Sequence, residues 1–283
     1  MRRKMSNNII SAKKLTKQFN DKTALDEINF HVKKGEVFGF LGPSGSGKTT
    51  TIKILTGQEK LTSGIVKVLD KEVRNISKNE QSKMGIVSDE NGYYEKLSLY
   101  DNLLIYAKLY QFEDVELNKL LDELKLSDSK NTLMEKISTG MKQRTFLIRS
   151  LIKSPNILFL DEPTSGLDPA TAQIIHKILK RIKNRGVSIF LTTHDMHEAT
   201  KLCDRLVILH KGKIIEEGTP DEIIEKHNKN KIVKIKYKDG TIIKKYLDEI
   251  NKLTNVNDLV SIHSMEPNLE EIFINMTGEE LHV

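Results

Sequence analysis

Residues 41–50 read Leu-Gly-Pro-Ser-Gly-Ser-Gly-Lys-Thr-Thr and follow directly on the apolar run Val37-Phe38-Gly39-Phe40. Gly42, Gly45, Gly47, Lys48 and Thr49 fit the spacing G-x-x-x-x-G-K-[ST], in which glycines let backbone N–H groups turn inward and ring a phosphate without interference from a Cβ. Lys48 then supplies a point charge near the β- and γ-phosphates, and the Thr49 hydroxyl is placed to ligate Mg²⁺. Thr50–Leu55 reads as a helix whose N-terminal dipole favours the same anion. A buried strand, a glycine loop and a helix in that order commit this part of the chain to an α/β core.

The rest of the pattern agrees with such a core. Ile9–Phe19 and Ala24–Val32 read as two β segments meeting at the polar turn Asn20-Asp21-Lys22, with further short strands at Gly64–Leu69 and Met84–Val87. The texture then turns helical. Ser98-Leu99-Tyr100-Asp101 resembles a capping box opening a helix to Phe112, and Asp114–Leu126 and Gly140–Ile152 add two more. After Pro155 the alternation resumes: strand Ile157–Leu160, helix Pro169–Lys183, strand Val187–Thr192, helix His197–Leu202 and strand Arg205–Leu209. It predicts a parallel sheet with ligands at the carboxyl ends of its strands.

Those strand ends carry acids and a histidine. The run Ile157-Leu158-Phe159-Leu160 ends on Asp161 and Glu162. Beside a phosphate loop, Asp161 fits an acid on the Mg²⁺ side and Glu162 a base that orients or polarises water. The run Phe190-Leu191-Thr192-Thr193 ends on His194, placed to touch a γ-phosphate oxygen.

Composition closes other routes. The longest apolar runs are strand length, so no helix is expected to span a bilayer and any membrane role needs a partner chain. The opening Met1-Arg2-Arg3-Lys4-Met5 is basic but no apolar stretch comes after it, so no secretory signal is expected. Net charge is +6, with lysines scattered among acids, so no nucleic-acid partner is expected. The single cysteine, Cys203, leaves no disulfide framework and suits a reducing cytosol.

Taken in order, five motifs resemble the series found in ABC-transporter ATPase subunits, over about residues 8–225. They are the glycine loop, Ile137-Ser138-Thr139-Gly140-Met141-Lys142-Gln143-Arg144, the strand ending Asp161-Glu162-Pro163, Ser165-Gly166-Leu167-Asp168, and Thr192-Thr193-His194-Asp195. The resemblance implies a P-loop NTPase of ABC type. Its α/β fold would have a mixed sheet core, an N-terminal antiparallel β subdomain, a helical signature subdomain over about 96–153 and a small C-terminal α+β extension, with domains at 8–227 and 228–283. ATP would be held by Phe19, Gly42, Pro43, Ser44, Gly45, Ser46, Gly47, Lys48, Thr49 and Thr50. Phe19 would stack on adenine, although an apolar residue after a strand also fits a core position.

By the same resemblance Glu162, His194 and Lys48 are the expected catalytic residues, with Mg²⁺ on Thr49 and Asp161. Where the family carries a Q-loop glutamine this sequence has Asp89, which reads either as a Mg²⁺ ligand or as a solvated loop acid. Two ATPase subunits would pair head to tail as a homodimer or heterodimer. The signature residues Ser138, Thr139, Gly140 and Met141, which depart from the usual L-S-G-G-Q at Thr139 and Met141, would serve the partner's nucleotide, with Asp168 in the D-loop. Tyr93–Tyr110 is expected to meet a transmembrane permease subunit on a separate chain, which puts this chain in the cytoplasm, peripheral on the inner face of the cell membrane.

The tail reads as a second region. In Lys231–Leu247, Val233, Ile235 and Tyr237 alternate with lysines and Asp239-Gly240 makes a hairpin turn. The lysines read as guards against edge pairing, or as a surface for anionic lipid or RNA. Pro267-Asn268-Leu269-Glu270-Glu271-Ile272-Phe273 resembles the closing P-x-L-E-x-x-F of subunits serving ABC-2-type exporters. The expected function is therefore ATP hydrolysis, to ADP and phosphate, that powers such an exporter through dimerisation. The alternative is a soluble ABC ATPase acting on a non-membrane partner.

Overall fold

Alternating apolar and polar side chains over Asn8–Phe19 and Lys22–Lys33 give two long antiparallel strands, β1 and β2, joined at Asn20-Asp21. The structure is a computed structural model and describes residues 7–88, 92–252 and 256–279. Next come the fully buried β3 (Val37–Leu41), α1 (Lys48–Leu55), β4 (Ser63–Val68), β5 (Lys71–Glu72), α2 (Lys78–Ser82) and β6 (Met84–Val87). Helices α3 (Leu99–Tyr110), α4 (Asp114–Glu123) and α5 (Thr139–Ile152) lie beyond it in the chain. The alternating stretch comprises β7 (Ile157–Asp161), α6 (Pro169–Asn184), β8 (Ser188–Thr193), α7 (Met196–Leu202), β9 (Arg205–His210) and β10 (Lys213–Gly218). The chain divides into two compact units between Glu217 and Gly218.

The first unit holds two sheets. One is antiparallel, in the order β2-β1-β4-β5; the other has the order β10-β9-β3-β8-β7-β6 and is parallel from β9 to β6. Phenylalanines join them. Phe38 and Phe40 sit two apart on β3, hence on one face, and both meet Phe30 of β2 and Phe190 of β8. Phe30 and Phe40 cross edge-on at 4.9 Å, a geometry that stabilises by about 0.5–1.5 kcal/mol beyond area burial.

The α/β class, the antiparallel N-terminal sheet and the mixed core stand as the sequence predicts. Among the element boundaries that differ, two have a clear physical cause. The last strand of the large sheet is not Arg205–Leu209: after Lys211-Gly212 the chain adds β10, and so tight a turn permits only an antiparallel neighbour. Its residues Lys-Ile-Ile-Glu-Glu-Gly lack strand alternation, which hid it. Helix α4 ends at Glu123 rather than Leu126, because Lys125 takes φ +55° and turns Leu124 and Leu126 inward as buried loop residues.

The second unit comprises α8 (Pro220–His227), β11 (Ile232–Tyr237), β12 (Ile242–Tyr246), β13 (Leu259–Ser264) and α9 (Leu269–Thr277). Its strands form one antiparallel sheet in the order β12-β11-β13. Ile223, Val233, Ile235, Leu269, Ile272 and Phe273 are buried. A capping box between Asn268 and Glu271 starts α9.

Register in the large sheet brings three strand ends together. Leu41 pairs with Thr193 and Asp161 with Thr192, so β3, β7 and β8 end level at one edge.

Candidate functional site

At that edge β3 runs into the glycine loop. Gly42 has φ +158°, and a Cβ there would meet the Leu209 carbonyl oxygen and lie 3.0 Å from the Ser46 hydroxyl. Gly47 has φ +113°, and its Cβ would lie 2.7 Å from the Ala24 carbonyl oxygen. Both positions therefore exclude any side chain. Gly47 caps α1, so Lys48, Thr49 and Thr50 form its first turn, two residues earlier than the sequence reading.

Lys48 is 4% exposed. Its Nζ donates to the carbonyls of Gly42 at 2.7 Å and Pro43 at 3.1 Å, and lies 3.2 Å from Glu162 Oε1. Ser44, Gly45 and Thr49 are exposed, whereas Ser46 is buried and its hydroxyl has no hydrogen-bond partner among the described residues.

The carboxylates come from the end of β7. Asp161 is buried and accepts a hydrogen bond from the Thr192 hydroxyl directly across on β8. Glu162 leaves the strand at φ +47°, while its N–H still donates to the Thr192 carbonyl at 3.0 Å. That left-handed turn aims its side chain at the loop. Glu162 Oε2 lies 2.5 Å from His194 Nδ1, so one carboxylate joins Lys48 from the loop and His194 from the end of β8.

Other expected residues stand apart from this cluster. Ser138 caps α5, its hydroxyl accepting from the Met141 N–H at 3.3 Å, with Thr139, Gly140 and Met141 in the first turn. Among the described residues, no hydrogen bond or ion pair joins Ser138–Met141 to the glycine loop or to Glu162. Asp168 caps α6, and hydrogen bonds from the Thr171 hydroxyl and N–H hold its carboxyl below the usual carboxylate range. Phe19 is 43% exposed, with Lys17 Nζ 4.2 Å from its ring centroid, so it is not a core residue. Asp89 lies outside the described residues.

Sequence reading missed the supports behind the cluster. Thr192 was visible only as a neighbour of His194. Glu198, 1% exposed on α7, accepts from the Thr164 hydroxyl at 2.6 Å and lies 3.1 Å from His176 Nε2. It thereby ties the segment after Glu162 to α6 and α7. The available signal was an acid on the inward face of a short helix.

The site fits a nucleotide phosphate: an orphaned buried hydroxyl at Ser46, a cradle that any Cβ would fill, a helix N-terminus and a buried cation converge on one loop. Asp161 and Thr49 are oxygen donors of the kind Mg²⁺ takes.

Comparison with known proteins points the same way. The ABC transporter family matches residues 25–165. A fluoroquinolones export ATP-binding protein of Mycobacterium tuberculosis is 37% identical over 268 residues, covering 91% of this chain and 89% of that protein. The Nod factor export ATP-binding protein I of Bradyrhizobium diazoefficiens is 32% identical over 302 residues, covering 98% and 99%. Among solved structures, the ATP binding subunit of an ABC transporter superposes with a TM-score of 0.69 at 27% identity, covering 77% of this chain and 92% of that one. A dimeric ATP-binding cassette in a post-hydrolysis state, bound to ADP and Pi, gives 0.66 at 27% identity, covering 74% and 98%.

Proposed function

The chain belongs to the ABC transporter family as an ATPase of the exporter ATP-binding type, and from that premise we propose that it powers an ABC-2-type exporter by ATP-driven head-to-tail dimerisation. The observation that carries the reading is Glu162, held between Lys48 and His194 at the mouth of the glycine loop.

The loop N–H groups and Lys48 bind and orient the phosphates of ATP. Glu162 orients a water and takes its proton, and His194 holds the Glu162 carboxylate in place from the far side. Thr49 and Asp161 would hold Mg²⁺, which when bound neutralises charge on the phosphate oxygens. Ser138 and the first turn of α5 offer donors with no phosphate loop of their own chain attached, which suits a nucleotide on a second subunit.

No helix among the described residues is long and apolar enough to cross a membrane. We assign the membrane path to a permease on a separate chain, with this subunit peripheral on the inner face. Tyr94, Ile105 and Leu109, exposed at 59%, 41% and 69%, supply an apolar surface for it. The relatives' export names and the Pro267–Phe273 motif support the exporter subclass.

Glu162→Gln tests the reading. It keeps shape and hydrogen bonding but loses the base, so nucleotide binding is expected to survive while steady-state hydrolysis falls roughly 10²–10⁴-fold. ATP-laden dimers are expected to accumulate in sedimentation. An unchanged hydrolysis rate would overturn the assignment.

A further inference from the structure

Two of the tail lysines do not guard an edge. β11 is the central strand of its sheet, paired on both sides, so Lys234 and Lys236 have no free edge to protect. The register sets Lys234 directly opposite Lys244 of β12 and His263 of β13. Directly opposed residues share a face, so these three form a basic row across the whole sheet. All are exposed, as is Lys236, while the other face of β11 carries the buried Val233 and Ile235.

Like charges directly opposite on a sheet destabilise it. Among the described residues Lys238 pairs with Asp258, whereas Lys234, Lys236 and Lys244 have no acidic partner. Ile242 and Tyr246, 51% and 52% exposed, flank Lys244 on the same face.

We propose that this open sheet face docks on anionic phospholipid headgroups, with its lysines on the phosphates and Ile242 and Tyr246 entering the headgroup layer. Charge complementarity calls for a polyanion, and the two apolar side chains select which one. Tyrosine and an aliphatic residue beside lysines make the amphipathic pattern of a membrane-interface surface. Single-stranded RNA is instead gripped by aromatic side chains that stack successive bases, and this face offers one tyrosine. A second copy of the chain docking by the same face would present the same lysines and be repelled. The choice of lipid rests on the exporter reading, which brings the chain to a membrane. Vesicle binding itself requires neither permease nor hydrolysis, so the two readings fail separately.

The test is flotation of the purified full chain with vesicles of about 30 mol% phosphatidylglycerol in phosphatidylcholine, beside pure phosphatidylcholine. Binding is expected with the acidic vesicles alone, and release in about 0.5 M salt. A lysine near an anionic surface contributes about fivefold to partitioning, so K234Q/K236Q/K244Q is expected to weaken binding roughly a hundredfold. I242S/Y246S is expected to weaken it while leaving the salt dependence intact.

Both variants lie outside the nucleotide site and are expected to keep the ATPase rate, which also reports folding. Equal binding to pure phosphatidylcholine, undiminished binding by the active triple variant, or tighter binding to poly(U) RNA than to the acidic vesicles would each overturn the proposal. Should the triple variant lose its fold, failure of high salt to release the unaltered chain overturns it equally. An unaltered chain that binds acidic vesicles but hydrolyses no ATP would count against the exporter reading instead.

Discussion

One hydroxyl holds Asp161 in place. Thr192 is fully buried and Asp161 nearly so, and the threonine donates across the strand pair to the carboxylate. Thr192→Val keeps the shape and removes the donor, leaving a buried acceptor short of a partner. The expected loss is about 1–3 kcal/mol in denaturant unfolding, with a raised Mg²⁺ requirement for hydrolysis. Thr192→Ser is expected to restore both, and an unmoved unfolding midpoint in Thr192→Val would show that the bond contributes nothing. Lys48→Ala acts on binding instead. It strips the cation from two carbonyls and from Glu162, so nucleotide affinity is expected to fall by roughly 30-fold or more, in line with truncating a buried charge partner at about 2–5 kcal/mol. An affinity equal to that of the unaltered chain, measured by calorimetry, would remove Lys48 from the phosphate site. The residues proposed for this chemistry were legible because their spacing is local. Thr192 was not, because its role exists only across a strand pair.

At the scale of elements, β3 is held tightly from the side opposite its phenylalanines. A Cβ on Gly39 would lie 2.5 Å from Cys203 Sγ and 3.2 Å from Leu206 Cβ, so this glycine marks the close approach of α7 and β9 to the strand. Gly39→Ala is expected to destabilise by about 1–3 kcal/mol through overpacking. Cys203→Ala removes the nearest atom, so the double variant is expected to lose less than the two single changes summed, as a thermodynamic cycle would read. Strict additivity would mean that Cys203 is not what the new methyl meets. The same burial pushes the Cys203 thiol far above its usual range, which fits a packing residue rather than a reactive one. Long amphipathic or fully apolar elements such as α6 and β3 were readable from their periods. β10 and the end of α4 were not, since a short charged strand and a left-handed lysine leave no period to read.

At the scale of the whole molecule, the residues proposed for the nucleotide lie in the first unit, and the second begins at Gly218. A chain ending at Gly218 is therefore expected to bind nucleotide as the full chain does, while dimerisation or coupling to the permease weakens. Nucleotide affinity and sedimentation of the two chains side by side make the comparison. Lost nucleotide binding in a truncated chain that still folds would place the tail within the catalytic domain.

The sequence by itself determined the glycine loop, the acids at the end of β7 and the α/β class, because each is a pattern of neighbours: strand, glycine turn and helix are contiguous, and sterics decide the rest. Only the tertiary structure decided that Lys48, Glu162 and His194 meet, because that depends on β8 lying between β3 and β7 and on the register that pairs Asp161 with Thr192. It likewise decided Lys234 and Lys236: a hairpin read alone cannot show which of its strands is an edge, and pairing on both sides of β11 leaves these two on an open sheet face rather than at an edge. Pairing partners distant in sequence carry that information, and no local spacing encodes them.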